Sequence, residues 1–208
     1  MTIDERRRQL IDLGLTLFTT RAYDDISIDD IAAIAGISKG LLYHYFRSKR
    51  DYYIATLRLA VDEVRGATEP DLSLPPLERL HASVSAFLSM VEQRAPLYVA
   101  VLRGGIGSDV AVRSLVDQLR DTVVSWVVDG LEIETPSPLL NVALYGWVSF
   151  LEEVCLNWIE RRDVPRDQVL ALLQLTLGSV LLRVQQVSPD PRLDPRKLTL
   201  IPEMQPVG

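Results

Sequence analysis

The chain has 208 residues, 48% of them hydrophobic, and a net charge of −6. That length can bury a sizeable core, and the composition is that of a globular protein, not a disordered one. One cysteine, Cys155, excludes an internal disulfide framework and a multi-cysteine zinc site, and the distant His44 and His81 make metal or Ser-His-Asp chemistry a poor fit. The opening MTIDERRRQL is charged and lacks the apolar stretch of a signal peptide, so a cytoplasmic location is expected. A first helix is predicted from about Asp4 to Thr20, with Leu10, Leu13, Leu17 and Phe18 as its buried stripe and Arg6, Arg7 and Arg8 toward solvent. Tyr23 and Ile26 are expected to close a small core behind it.

Residues 27 to 49, SIDDIAAIAGISKGLLYHYFRSK, carry the strongest local signal. Ser27 is placed to cap a helix whose first turn holds Asp29 and Asp30, the sign that suits a helix N-terminus. Ile28, Ile31, Ala32 and Ala35 recur at helical spacing. Gly36 falls where the chain must turn sharply, and Ser38 offers a second N-cap. The short helix that follows carries Lys39, Gly40, Tyr43 and His44 and few acids. Two short helices about a tight turn read as a helix-turn-helix whose second helix enters a DNA major groove.

The run from Ile31 to Lys49 resembles the DNA-binding segment of TetR-type (tetracycline-repressor-like) transcriptional regulators. The family pattern I-A-x-x-A-G-[VI]-S-x-G-x-[LIF]-Y-x-[HY]-F-x-[SN]-K is satisfied without a gap. The resemblance implies that Ser38, Lys39, Gly40, Tyr43 and His44 face DNA and that Ser27 and Lys49 hold phosphates. It also implies a homodimer and a small-molecule effector, with no cofactor. Two positions depart from the family. Ala22 stands where glycine is usual after the first helix, which costs about 1 kcal/mol if a left-handed cap is kept. Tyr52 stands where leucine is common, followed by Tyr53, and both are expected to join the head to the body.

A fourth helix is predicted from about Lys49 to Gly66, with Ser48 as its cap, and Glu69 to Pro76 reads as a connection. A fifth follows from about Pro75 to Arg94, with Leu77, Leu80, Val84, Phe87, Leu88 and Val91 on its apolar side. Pro96 breaks the pattern before a short helix, Leu97 to Leu102. Arg103-Gly104-Gly105-Ile106-Gly107 lacks the Gly-Lys-Ser/Thr ending of a phosphate loop and reads as a turn. A seventh helix is predicted from about Asp109 to Asp129, an eighth from about Pro138 to Arg162 behind the Ser137 cap, and a ninth from Pro165 to about Val187. The segment from Ser188 to Gly208 holds five prolines and no helical pattern. No strand alternation is convincing. The fold class is all-α, about nine helices: a DNA-binding head at 1–50, an effector-binding and dimerisation body at 51–188, and a Pro-rich tail at 189–208.

The eighth and ninth helices are apolar over more than half their circumference, so they must be covered on several sides. Neither is read as a membrane span: Glu152 and Glu153 interrupt the former and the apolar part of the latter is short. Pairing with a second copy is expected instead, which sets two recognition helices about 34 Å apart on successive major-groove faces. Glu152 projects from the apolar side of its helix and needs an arginine, Arg103 or Arg183, or a ligand. Phe87, Tyr98, Arg103, Trp126, Trp147, Phe150 and Glu152 are the candidates to line an apolar effector pocket.

Charge is distributed to suit this reading. Residues 1–50 carry eight Lys/Arg against seven Asp/Glu, leaving about −7 for the remainder. The expected function is a DNA-binding regulator, a repressor released from operator DNA by a small hydrophobic effector. The alternative is a helical ligand-binding or scaffold dimer whose head binds protein. An enzyme is not expected, because Glu152, Cys155 and His81 have no spacing that assembles a site.

Overall fold

The computed structural model describes residues 2–103 and 109–189, which form nine α-helices and no strand among those residues. They are α1 (Ile3–Thr20), α2 (Ile28–Ile34), α3 (Lys39–Tyr45), α4 (Lys49–Thr68), α5 (Pro76–Gln93), α6 (Ala95–Arg103), α7 (Val110–Gly130), α8 (Pro138–Arg161) and α9 (Arg166–Val187). The glycine-rich turn at 104–107 and nearly all of the Pro-rich tail lie outside the described residues. Pro96, expected to interrupt a helix, stands in the first turn of α6, where its missing N–H costs nothing.

Two compact units divide the chain: Met1–Val64 with Arg94–Gln118, and Arg65–Gln93 with Leu119–Gly208. The backbones of α4 and α7 thus contribute to both. In the first unit, α6 packs on α1 and buries Leu97, Tyr98 and Val101. Thr2 and Glu5 form a capping box that starts α1. No left-handed residue ends it. Arg21 and Ala22 are extended and a 3-10 turn, Tyr23–Asp25, follows, so the Gly-to-Ala departure carries no backbone strain.

The core of this unit is aromatic. Phe18 meets the Tyr53 ring edge-on at 4.8 Å, and Phe46, the residue after α3, meets Tyr52 at 4.9 Å. The Tyr52 hydroxyl donates to the Leu10 carbonyl at 2.5 Å, and α1 makes room for it with Gly14. Tyr52 and Tyr53 therefore lock α4 to α1 inside the first unit.

In the second unit, α9 packs against α8 and α5. By length and composition α8 and α9 would cross a bilayer, but Leu144, Trp147, Leu151 and Cys155 of α8 and Leu173, Leu177 and Leu181 of α9 are buried within the chain. The Trp147 indole N–H donates to the Leu173 carbonyl at 3.1 Å. Arg166 spans α9 to α5, donating to the Ser85 carbonyl at 2.7 Å and to the Ser89 hydroxyl at 2.9 Å.

A Cβ at Gly14 would sit 2.5 Å from the Thr56 hydroxyl and 2.7 Å from the Tyr52 hydroxyl, whereas one at Gly66 meets nothing within 4 Å. Gly14→Ala should destabilise the protein by about 1–3 kcal/mol in urea unfolding, and Gly66→Ala should be neutral or stabilising. Burial raises the Tyr53 phenol from 10.0 to about 12. Because the folded value is the higher one, the stabilisation is complete below pH 10 and is lost as pH rises through about 12. Absorbance at 295 nm should show a late phenolic step coincident with loss of helix.

Candidate nucleic-acid interface

The two short helices are built by local chemistry. Ser27 and Asp30 cap α2 reciprocally: the Asp30 N–H donates to the Ser27 hydroxyl at 3.0 Å, and the Ser27 N–H donates to the Asp30 carboxylate at 2.9 Å. The helix ends in a Schellman turn. Gly36 has φ +64°, its N–H donates to the Ala33 carbonyl, and the Ile37 N–H donates to Ala32. Ser38 then caps α3 by accepting from the Leu41 N–H at 3.1 Å. Leu42 is wholly buried and pins α3 to the core, so the residues around it are set facing outward.

Those residues form one exposed surface. Lys39, Gly40, Tyr43 and His44 are all exposed on α3, with Ser38 at its start and Ser27 exposed at the start of α2. No acid lies in the first turn of α3. A Cβ on Gly40 would meet nothing within 4 Å, so packing inside the protein does not require glycine there. The Ser27 hydroxyl is already engaged with Asp30, at 2.7 Å. Lys49 is half-buried, its Nζ 4.0 Å from the centre of the Tyr23 ring. Leu41 is also exposed on α3, a residue for which the sequence carries no signal beyond its place in the pattern.

The basic groups here have partners. Lys39 Nζ lies 2.8 Å from Asp29, which raises its pKa through the hydrogen bond first and the charge second. Arg50 grips Asp109 with two hydrogen bonds, Nε to Oδ2 at 2.5 Å and Nη2 to Oδ1 at 2.8 Å. Asp109 also accepts from the Ala111 N–H. No sequence pattern joins these two residues, which are 59 positions apart. The Arg7 guanidinium stacks over Phe46.

The pocket candidates are divided between the two units. Tyr98 is buried and Arg103 exposed in the first unit, while Phe87, Trp126, Trp147, Phe150 and Glu152 belong to the second. Glu152 meets a cation that the sequence did not single out. Its partner is Arg120 on α7, with Nη2 to Oε2 at 2.7 Å and Nε to Oε1 at 3.0 Å. Arg183 instead donates to Gln186 on its own helix. Tyr145, about two turns before Glu152, donates to Asp121. The remaining chemical groups are also engaged: His81 shares a hydrogen bond with Gln174, and burial pushes the Cys155 thiol up to about 12.

Known proteins match both parts of this arrangement. Residues 10–56 match the bacterial regulatory proteins of the tetR family, and residues 76–178 match the tetracyclin repressor-like C-terminal domain. The transcriptional activator FasR of Mycolicibacterium smegmatis is 30% identical over 176 residues, covering 80% of this chain and 78% of that protein. The chain belongs to the TetR family. The transcriptional repressor KstR of Rhodococcus jostii is 27% identical over 183 residues, 85% of this chain and 83% of its own. A TetR-family regulator from Streptomyces coelicolor superposes with a TM-score of 0.80 at 28% identity, covering 98% of this chain and 89% of its own. The protein is accordingly a DNA-binding transcriptional regulator, and the scaffold alternative is not favoured.

The Asp109 carboxyl is lowered from 3.8 to about 2, first by the Arg50 hydrogen bond and then by the Ala111 N–H. A depressed folded value stabilises the fold above the unfolded value and loses that contribution as pH falls from about 4 through about 2. Asp109→Asn keeps the cap and removes the charge, so its helix content measured by circular dichroism should vary less over that range than wild type.

Proposed function

We propose that this TetR-family regulator is a homodimeric repressor whose α3 reads operator DNA and whose release is driven by a small hydrophobic effector. The observation that carries the DNA reading is the outward face of α3, where Lys39, Gly40, Tyr43 and His44 stand exposed around the buried Leu42. Lys39 and His44 offer hydrogen-bonding groups to base edges, and Tyr43 adds flat contact area. Gly40 contributes by absence: without a side chain there, the backbone approaches the duplex closely. Ser27, Ser38 and Lys49 are assigned to phosphates, which set the register while base contacts set the sequence. On this reading 1–50 is the DNA-binding domain and 51–188 the effector and dimerisation domain.

The repressor sign is supported by the likeness to the repressor KstR; FasR, an activator, shows that the family serves both signs. Dimerisation through α8 and α9 is supported by exposed apolar side chains that internal packing leaves over: Leu139 and Val142 on α8, Leu172 and Leu175 on α9. The effector is assigned to the apolar second unit, with Phe87, Trp126, Phe150 and the Arg120–Glu152 pair as the groups to test. It acts by binding the DNA-incompetent state more tightly, with the change carried to the head along α4. A soluble cytoplasmic regulator fits all of these roles.

Tyr43→Ala and Gly40→Ala test the assignment of α3. Both should remain folded and dimeric by sedimentation, Gly40→Ala with equal or greater thermal stability, since alanine is the better helix former by about 1 kcal/mol. Both should bind a duplex selected by the wild-type protein at least about tenfold more weakly. Wild-type affinity in both would remove α3 from the interface. Val142→Glu combined with Leu175→Glu should yield monomers, and a persistent dimer would place the subunit contact elsewhere.

A further inference from the structure

One contact on the reading surface has the wrong sign for that surface. Asp29 sits on α2, exposed, in a region assigned to polyanionic DNA, and its Oδ2 lies 2.8 Å from Lys39 Nζ at the start of α3. Its neighbour Asp30 is accounted for by the α2 cap, which needs one carboxylate at that position. The Asp29–Lys39 pair is 69% and 51% exposed in its two side chains, and pairs of that kind add little to stability. Its position between the two helices of the helix-turn-helix is what distinguishes it.

A lysine at the lip of a DNA-reading helix has two competing acceptors, phosphate oxygens and base edges. Its four-carbon stem lets the ammonium swing to whichever is nearer, and a phosphate contact carries no sequence information. Asp29 removes that freedom by holding one of the three ammonium donors from the α2 side. Its negative charge also cancels the long-range pull that Lys39 exerts on any duplex. Two donors remain. A guanine presents two adjacent major-groove acceptors, O6 and N7, which those donors suit.

We propose that Asp29 is a specificity-determining positioning residue that holds Lys39 for a guanine edge and withholds it from phosphates. The proposal rests on α3 being the DNA reader. Asp29 itself is not assigned a DNA contact. Its role is exerted through Lys39, so that at one operator position a G·C pair is required, and affinity for unrelated sequence is kept low.

The test compares wild type with Asp29→Asn, Lys39→Met and the double variant, each as the full chain. Wild-type protein is first used to enrich duplexes from a random pool, and dissociation constants are then measured on the enriched duplex, on its single-base variants and on a scrambled duplex at several salt concentrations. Asp29→Asn should bind the scrambled duplex about three- to tenfold more tightly, with a log–log salt slope steeper by about one. It should also accept other bases at one enriched G·C position. Lys39→Met should lose preference at that same position, and the double variant should show no further change in base preference. Unaltered base preference in Asp29→Asn, with wild type still selecting a sequence, would overturn the proposal alone. Loss of preference at a position that Lys39→Met leaves intact would also overturn it. A wild-type protein that enriches no sequence would overturn the DNA reading and this proposal with it.

Discussion

Tyr52 reaches from α4 into the space that Gly14 leaves on α1, and its hydroxyl donates to the Leu10 carbonyl at 2.5 Å. A buried phenol needs such a partner, because leaving it unsatisfied costs about 1–3 kcal/mol. The same ring packs edge-on against Phe46 at 4.9 Å, and Phe46 immediately follows α3. The position of α3 is therefore tied through one aromatic contact to the junction of α1 with α4. Tyr53 extends the lock through Phe18 and Tyr23. A leucine at position 52 would fill volume but leave the Leu10 carbonyl without this donor, so here hydrogen bonding as well as packing aligns the two helices.

Around that core, the basic groups of an acidic protein are committed to internal partners. Lys39 meets Asp29, Arg50 meets Asp109, Lys49 lies over Tyr23 and Arg7 lies over Phe46. Each of these contacts holds a cation in place. A duplex approaching this surface competes with aspartates and aromatic faces for the same groups. Association with arbitrary sequence is thereby restrained, and a net charge of −6 restrains it further. Affinity must then come from fitted contacts, a balance that suits a regulator searching among many wrong sites.

The second unit follows a different rule. Its long helices are held by apolar packing punctuated by a few directed contacts: the Trp147 indole on Leu173, Arg166 across Ser85 and Ser89, and the Arg120–Glu152 fork. The fork gives a largely buried carboxylate a cationic partner.

Much of this was legible in the residues alone, for a definable reason. Capping boxes, the glycine turn at 36 and the buried Leu42 act within a few positions of one another, so local spacing was enough to lay out α2, α3 and the outward face of α3. Helix boundaries elsewhere also followed from short-range signals such as Ser137-Pro138. The partners of Glu152, Arg50 and Tyr52 were not legible, because each lies on or next to another helix 32 to 59 residues away and depends on packing register. Charge and apolar placement said that Glu152 required an arginine or a ligand; only the tertiary structure brought Arg120 to it. Likewise the grouping of α6 and the first half of α7 with the head arises from long-range contacts that leave no periodic trace in the chain. The sequence by itself determined a helical protein with a DNA-reading turn, since those are local and repetitive properties. The tertiary structure decided which charges neutralise one another, since that depends on which helices meet.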